Sequence, residues 1–191
     1  MSNMAEVEKS VKILKKNLKN KFILMQCTGS YPAPATDANL MVIQSYKKKF
    51  NCIVGYSDHV MDNKVALGSI AIGAKCFEKH ITVNKKLKGP DHRVSMEKKD
   101  FVRLVCEIRD LELALGNGTK KVMNSEVNNV KKLKKYFVAN QNIKKGEHFT
   151  SKNIVAKRTG GQGIKADNYF DLIKKKANKE YYLNDIIKIK I

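Results

Sequence analysis

Two kinds of hydrophobic pattern alternate along the chain, and the alternation predicts the fold class. Met4, Val7, Val11, Leu14 and Leu18 recur at three- and four-residue steps, which places them on one stripe of a helix over 4–19. Phe22 to Cys27 is a short apolar run suited to a strand buried on both faces. The Gly and Pro residues of 28–34 break it, and Asp37 is placed to cap a helix over 38–49. The pattern repeats with a strand at 52–56, a helix over 63–73 capped by Asp62 or Asn63, and a strand at 75–80. After a Gly-Pro loop at 89–90, Ser95 is placed to cap a long helix whose stripe is Phe101, Leu104, Val105, Ile108, Leu111 and Leu115, ended by Gly116.

Strands alternating with helices imply parallel strands joined by right-handed crossovers, an α/β fold. Three strands are too few to close a barrel, and the chain opens on a helix with no strand before it. Residues 1–116 therefore read as part of a parallel α/β barrel entered midway. Residues 117–135, rich in Asn and Lys, read as a linker. From 136 the texture changes to short strand candidates at 136–139, 154–156 and 186–191, a turn at Lys145-Gly146 and a short helix within 168–176. That is a compact β-rich module, small for independent stability.

Hydrophobic residues make up 42% of the 191, enough to bury a core. No apolar run reaches the roughly 18 residues of a membrane span, and the start has no signal-peptide stretch. A cytoplasmic protein without a membrane partner is the expectation. The four cysteines form no CxxC pair, and Cys27, Cys52 and Cys76 lie in apolar runs, so reduced core thiols are expected. The net charge of +20 is mostly scattered Lys, with little Arg and no aromatic interleaving for stacking bases. A solvated lysine surface is the expectation rather than a nucleic-acid face, although the excess attracts anionic small molecules.

Active sites of parallel α/β barrels lie at the C-terminal strand ends. Here those ends read Cys27-Thr-Gly-Ser-Tyr31, Tyr56-Ser-Asp-His59 and Glu78-Lys-His80, with Asp91 beyond the next loop. His59 and His80 occupy matching ends of consecutive strands about 4.8 Å apart, so their imidazoles can converge on one divalent metal. Spacing alone leaves a second reading open, two independent histidines with structural hydrogen bonds. Glu78, two residues before His80, faces the same side.

The segments CTGSYPAP (27–34), GYSDH (55–59), EKHIT (78–82) and GPDH (89–92) resemble the signature loops of the N-acetylneuraminate (sialic acid) synthase family. Ile143-Lys-Lys-Gly146, Val155-Ala-Lys-Arg158 and Gly160-Gly-Gln-Gly163 resemble its C-terminal antifreeze-like (SAF) domain, over 136–191. The resemblance implies a transferase that condenses phosphoenolpyruvate with an N-acetylmannosamine-type sugar, giving a sialic, legionaminic or pseudaminic type of nonulosonic acid. It makes His59 and His80 ligands of Mn2+ or Mg2+. Ser57 is implied to bind the phosphate and Tyr31 to lie near the sugar. Glu78 and Asp91 are implied to hold a water or relay a proton, and otherwise to pair with Lys79 or Arg93. Arg158 is implied to reach the partner's active site in a domain-swapped homodimer.

One departure is Gly29, where many relatives carry an Asn that binds phosphoenolpyruvate. Another is extent, because the chain resembles only the last three strands of the family's (β/α)8 TIM barrel, which makes residues 1–116 its C-terminal portion. An N-terminally truncated form, inactive alone, is therefore expected. The competing expectation is a noncatalytic glycan- or protein-binding module acting through the SAF domain.

Overall fold

The computed structural model describes residues 1–19 and 21–191, which form two compact units, Met1–Thr119 and Lys120–Ile191. In the first, α1 (Met4–Leu18) begins at a capping box: the Asn3 side chain accepts from the Glu6 N–H, and the Glu6 carboxylate accepts from the Asn3 N–H. Three βα repeats follow: β1 (Ile23–Cys27), α2 (Met41–Phe50), β2 (Ile53–Asp58), α3 (Asn63–Ala71), β3 (Cys76–Lys79) and, after an excursion, α4 (Lys98–Leu115). The sheet order is β1-β2-β3, all parallel. β2 is central, and every residue after Ile53 is buried.

Alternation along β2 sorts its two faces. Val54 and Tyr56 join Ile43, Tyr46, Phe50 and Val11 in the core beneath the helices. Gly55 and Ser57 face the other way, opposite Cys76 and Glu78 of β3. Gly55 is required by close approach: a Cβ there would lie 2.7 Å from the Cys76 carbonyl oxygen. A smaller core of Ala66, Met96, Leu104 and Ile108 seats α4 on α3. Only part of the α4 stripe is covered, since Val105 and Leu115 are exposed.

Several local expectations differ. Asp37 does not cap α2; it ends a 3-10 turn at Ala35–Asp37, and α2 starts at Met41 with no side-chain cap. Of the two candidate caps of α3, Asp62 accepts from the Lys64 N–H. Ser95 does not cap α4 either, for the chain first makes a two-residue parallel ladder, β4 (Ile81–Thr82) with β5 (Met96–Glu97). Cys27, Cys52 and Cys76 are half-buried rather than core residues, and all four cysteines are free thiols.

In the second unit, residues expected as linker hold a 3-10 turn (Asn124–Glu126) and α5 (Val127–Leu133). Glu126 folds back to accept from the Met123 N–H at 2.8 Å, which starts this turn in an otherwise polar stretch. β6 (Tyr136–Ala139) pairs antiparallel with β7 (Ile154–Lys157). Residues 186–191 make only one bridge to β6, at Ile186, rather than a strand. The short helix α6 spans Tyr169–Leu172. Phe149, Leu172, Tyr181 and Ile187 fill this unit's core.

Candidate active site

The C-terminal ends of β1, β2 and β3 carry the polar residues. Parallel register puts Ser57 opposite Glu78 and Asp58 opposite Lys79, so His59 and His80 follow at equivalent positions. Their ring centroids are 5.2 Å apart. Tyr31, on the loop after β1, lies against both rings, at 4.8 Å from His59 and 4.3 Å from His80. The sequence therefore brings together Tyr31, Ser57, Glu78, His59, His80 and Asp91.

The His59 ring is held from behind, and both histidine backbones are tied down. His59 Nδ1 is 2.8 Å from the Thr28 carbonyl oxygen. A carbonyl only accepts, so Nδ1 carries a proton, and the tautomer this contact selects has its lone pair on Nε2. The Cys27 Sγ lies 3.9 Å from the same Nδ1. The His59 carbonyl accepts from the Ala33 N–H at 2.9 Å, and the His80 carbonyl from Met96 at 3.0 Å. His80 Nδ1 is 3.8 Å from Asp91 Oδ2, beyond hydrogen-bond length.

Ser57 and Glu78 form a pair on the same side: the Ser57 hydroxyl donates to Glu78 Oε1 at 2.6 Å. Neither Glu78 nor Asp91 takes up the expected alternative pairing with Lys79; that lysine belongs to Asp58. Tyr31 reaches Ser95 Oγ at 3.1 Å. Because the single Ser95 proton goes to the Asp91 carbonyl oxygen at 2.8 Å, Tyr31 is the donor in this contact. Burial pushes the Tyr31 phenol above its ordinary range, so it stays protonated. Arg158 follows β7 in the second unit and is exposed.

Three residues were missed by sequence reasoning. Ser95, expected as a cap, is instead buried at 3% exposure and bonded to Tyr31. Asp58 and Lys79 form a buried ion pair, Oδ2 to Nζ 2.8 Å, with side chains 1% and 3% exposed. A signal existed, since each immediately precedes one of the two histidines and their charges are opposite.

The donor set fits a cation in part. An Nε2–metal bond of about 2.1 Å puts the centroids of two adjacent imidazole ligands roughly 5 Å apart, which the observed spacing matches. Nδ1 engaged by a carbonyl is the usual support of a metal-ligating histidine. Among the described residues no group of three or more His, Cys, Asp or Glu is arranged to hold a metal ion. A cavity of about 530 Å3 borders the β1 edge, lined by Gln26, Cys27, Thr28, Gly29 and Ser30 but by neither histidine. Among the described residues no helix is long and apolar enough to cross a membrane.

Residues 1–120 match the NeuB family. The chain is 38% identical over 190 residues to N,N'-diacetyllegionaminic acid synthase of Campylobacter jejuni, covering 98% of this chain and 57% of that protein. It is 37% identical over 178 residues to N-acetylneuraminate-9-phosphate synthase of Homo sapiens, covering 93% and 48%. The crystal structure of N-acetylneuraminic acid (sialic acid) synthetase from Leptospira borgpetersenii, in complex with citrate, superposes with a TM-score of 0.62 at 38% identity, over 68% of this chain and 45% of that one. The chain spans about half the length of the curated relatives it matches. On the match over residues 1–120 and the 38% identity along nearly the whole chain, the chain belongs to the NeuB family.

Proposed function

We propose that this chain carries part of the active site of a nonulosonate synthase, condensing phosphoenolpyruvate with an N-acetylmannosamine-like sugar. The observation that carries the reading is the pair of imidazoles, His59 and His80, with centroids 5.2 Å apart and Nδ1 of His59 held by a carbonyl. His59 and His80 would hold Mn2+ or Mg2+ through Nε2. Such a cation, when bound, polarises the sugar aldehyde.

The remaining steps belong to side chains. The phosphoenolpyruvate methylene carbon forms a bond to the aldehyde carbon; water adds at C2 and phosphate departs, leaving the 2-keto acid. Ser57 would turn its hydroxyl from Glu78 toward a phosphate oxygen. Glu78, no longer accepting from that hydroxyl, would take a proton from the incoming water. Asp91, beside His80, would relay a proton from solvent water to the developing alkoxide. Tyr31 walls the sugar side, its ring fixed against both imidazoles. Arg158 would complete the site from the SAF unit of a domain-swapped partner.

Synthesis on this reading needs the remaining strands of the (β/α)8 barrel, which residues 1–191 do not supply. The test is 2-keto acid formation by the chain alone and with the N-terminal half of the Campylobacter jejuni relative added as a separate polypeptide. Acceptors are the sialic, legionaminic and pseudaminic precursors, with and without a 6-phosphate. Product only in the mixture, abolished by His80→Ala, is expected. Product from residues 1–191 alone overturns the dependence on the missing strands, and no product with any acceptor in the mixture overturns the synthase reading.

A further inference from the structure

The Asp58–Lys79 pair lies on the helix-facing side of the sheet, away from Ser57 and Glu78. It does more than neutralise two charges. Asp58 Oδ2 accepts from Lys79 Nζ at 2.8 Å, and its Oδ1 accepts from the Val60 N–H at 2.9 Å. Lys79 Nζ donates a second, short hydrogen bond to the Val60 carbonyl oxygen. Both polar groups of the Val60 backbone are therefore taken up by one ion pair. Residue 60 lies just beyond the end of β2, where ladder hydrogen bonds have stopped.

The consequence falls on the two histidines. His59 sits between Asp58 and Val60, so the pair braces it from both neighbours. Lys79 is the residue before His80, so the same pair joins the two histidine-bearing strand ends. On the opposite face, the Ser57–Glu78 hydrogen bond joins the preceding cross-strand pair. A buried, fully partnered ion pair holds its geometry more tightly than an exposed one, because leaving either charge alone in the interior is costly. Neither side chain reaches the mouth of the strands, since both are nearly solvent-free.

We propose that Asp58 and Lys79 are a positioning pair that sets the spacing and ring orientation of His59 and His80. The metal part of this inference rests on the reading under Proposed function; the ring-orientation part does not. Support that orients a ligating histidine is worth about 10- to 100-fold in metal affinity.

The experiment compares wild type, Lys79→Met, and the double variant Asp58→Leu/Lys79→Met, which removes both charges and the brace while filling the space. Two quantities are read at low temperature on samples shown folded by circular dichroism. Long-range 1H–15N NMR reports the imidazole tautomers, and electron paramagnetic resonance of free Mn2+ gives the affinity. Wild type is expected to show His59 protonated on Nδ1. The double variant is expected to be folded, with mixed His59 tautomers and at least a 10-fold loss of Mn2+ affinity. An unchanged tautomer in the folded double variant overturns the proposal. So does Mn2+ affinity within twofold of wild type. Wild type that binds no Mn2+ overturns the metal reading instead, and the tautomer result then decides the positioning role by itself.

Discussion

Lys79→Met removes one charge from a pair whose carboxylate is 1% exposed. Asp58 keeps its bond from the Val60 N–H but loses the ammonium, and the Val60 carbonyl loses its donor. Stranding one member of a buried pair costs about 3–5 kcal/mol. In a unit of this size that corresponds to a fall in melting temperature of roughly 10–20 °C, at ~4 °C per kcal/mol. An internal control is available in Lys49–Glu8, where both side chains are nearly half exposed. Lys49→Met should cost no more than about 1 kcal/mol, because water screens and solvates such a pair. Urea unfolding at pH 7, followed by circular dichroism, measures both. Asp58→Leu/Lys79→Met should recover more than half of the loss, since apolar replacement of a whole buried pair is often nearly neutral. If Lys79→Met unfolds within about 1 kcal/mol of wild type, the pair is not desolvated as its geometry requires.

Gly55→Ala would push a Cβ to 2.7 Å from the Cys76 carbonyl oxygen; the resulting displacement of β3 from β2 should cost about 1–3 kcal/mol in urea unfolding. Tyr56 is fully buried, and burial followed by the nearby Asp58 carboxylate raises its phenol above the ordinary 10.0. A group raised on folding contributes stability that is complete below the unfolded value and lost as pH climbs through the folded one. Stability should therefore fall above about pH 10, and the fall should shrink in Tyr56→Phe when unfolding midpoints are compared at successive alkaline pH values.

Much of the first unit was legible because its signals are local. The stripes of 4–18 and 101–115 and the apolar runs near 23–27, 53–58 and 76–79 each carry their own period. What escaped depends on distant partners. The Ser95 hydroxyl had a free choice between capping a helix and serving Tyr31 and Asp91, and the fold of the 83–95 excursion decided it. The β4–β5 ladder is two residues long, too short to leave a periodicity. Residues 186–191 have a strand composition but find only one bridge. Asp58 and Lys79 were each visible as charges in apolar runs, yet pairing them required the register of β2 against β3.

The account turns on His59 and His80 gripping a single cation. The chain has four histidines, of which His148 lies in the second unit and serves as the reference. Adding Mn2+ well below one equivalent and following imidazole proton signals by NMR distinguishes the possibilities directly. His59 and His80 should broaden together, ahead of His148, and His59→Ala should abolish the early broadening of His80. If one of the pair broadens without the other, or all four histidines broaden alike, the two rings do not form one site.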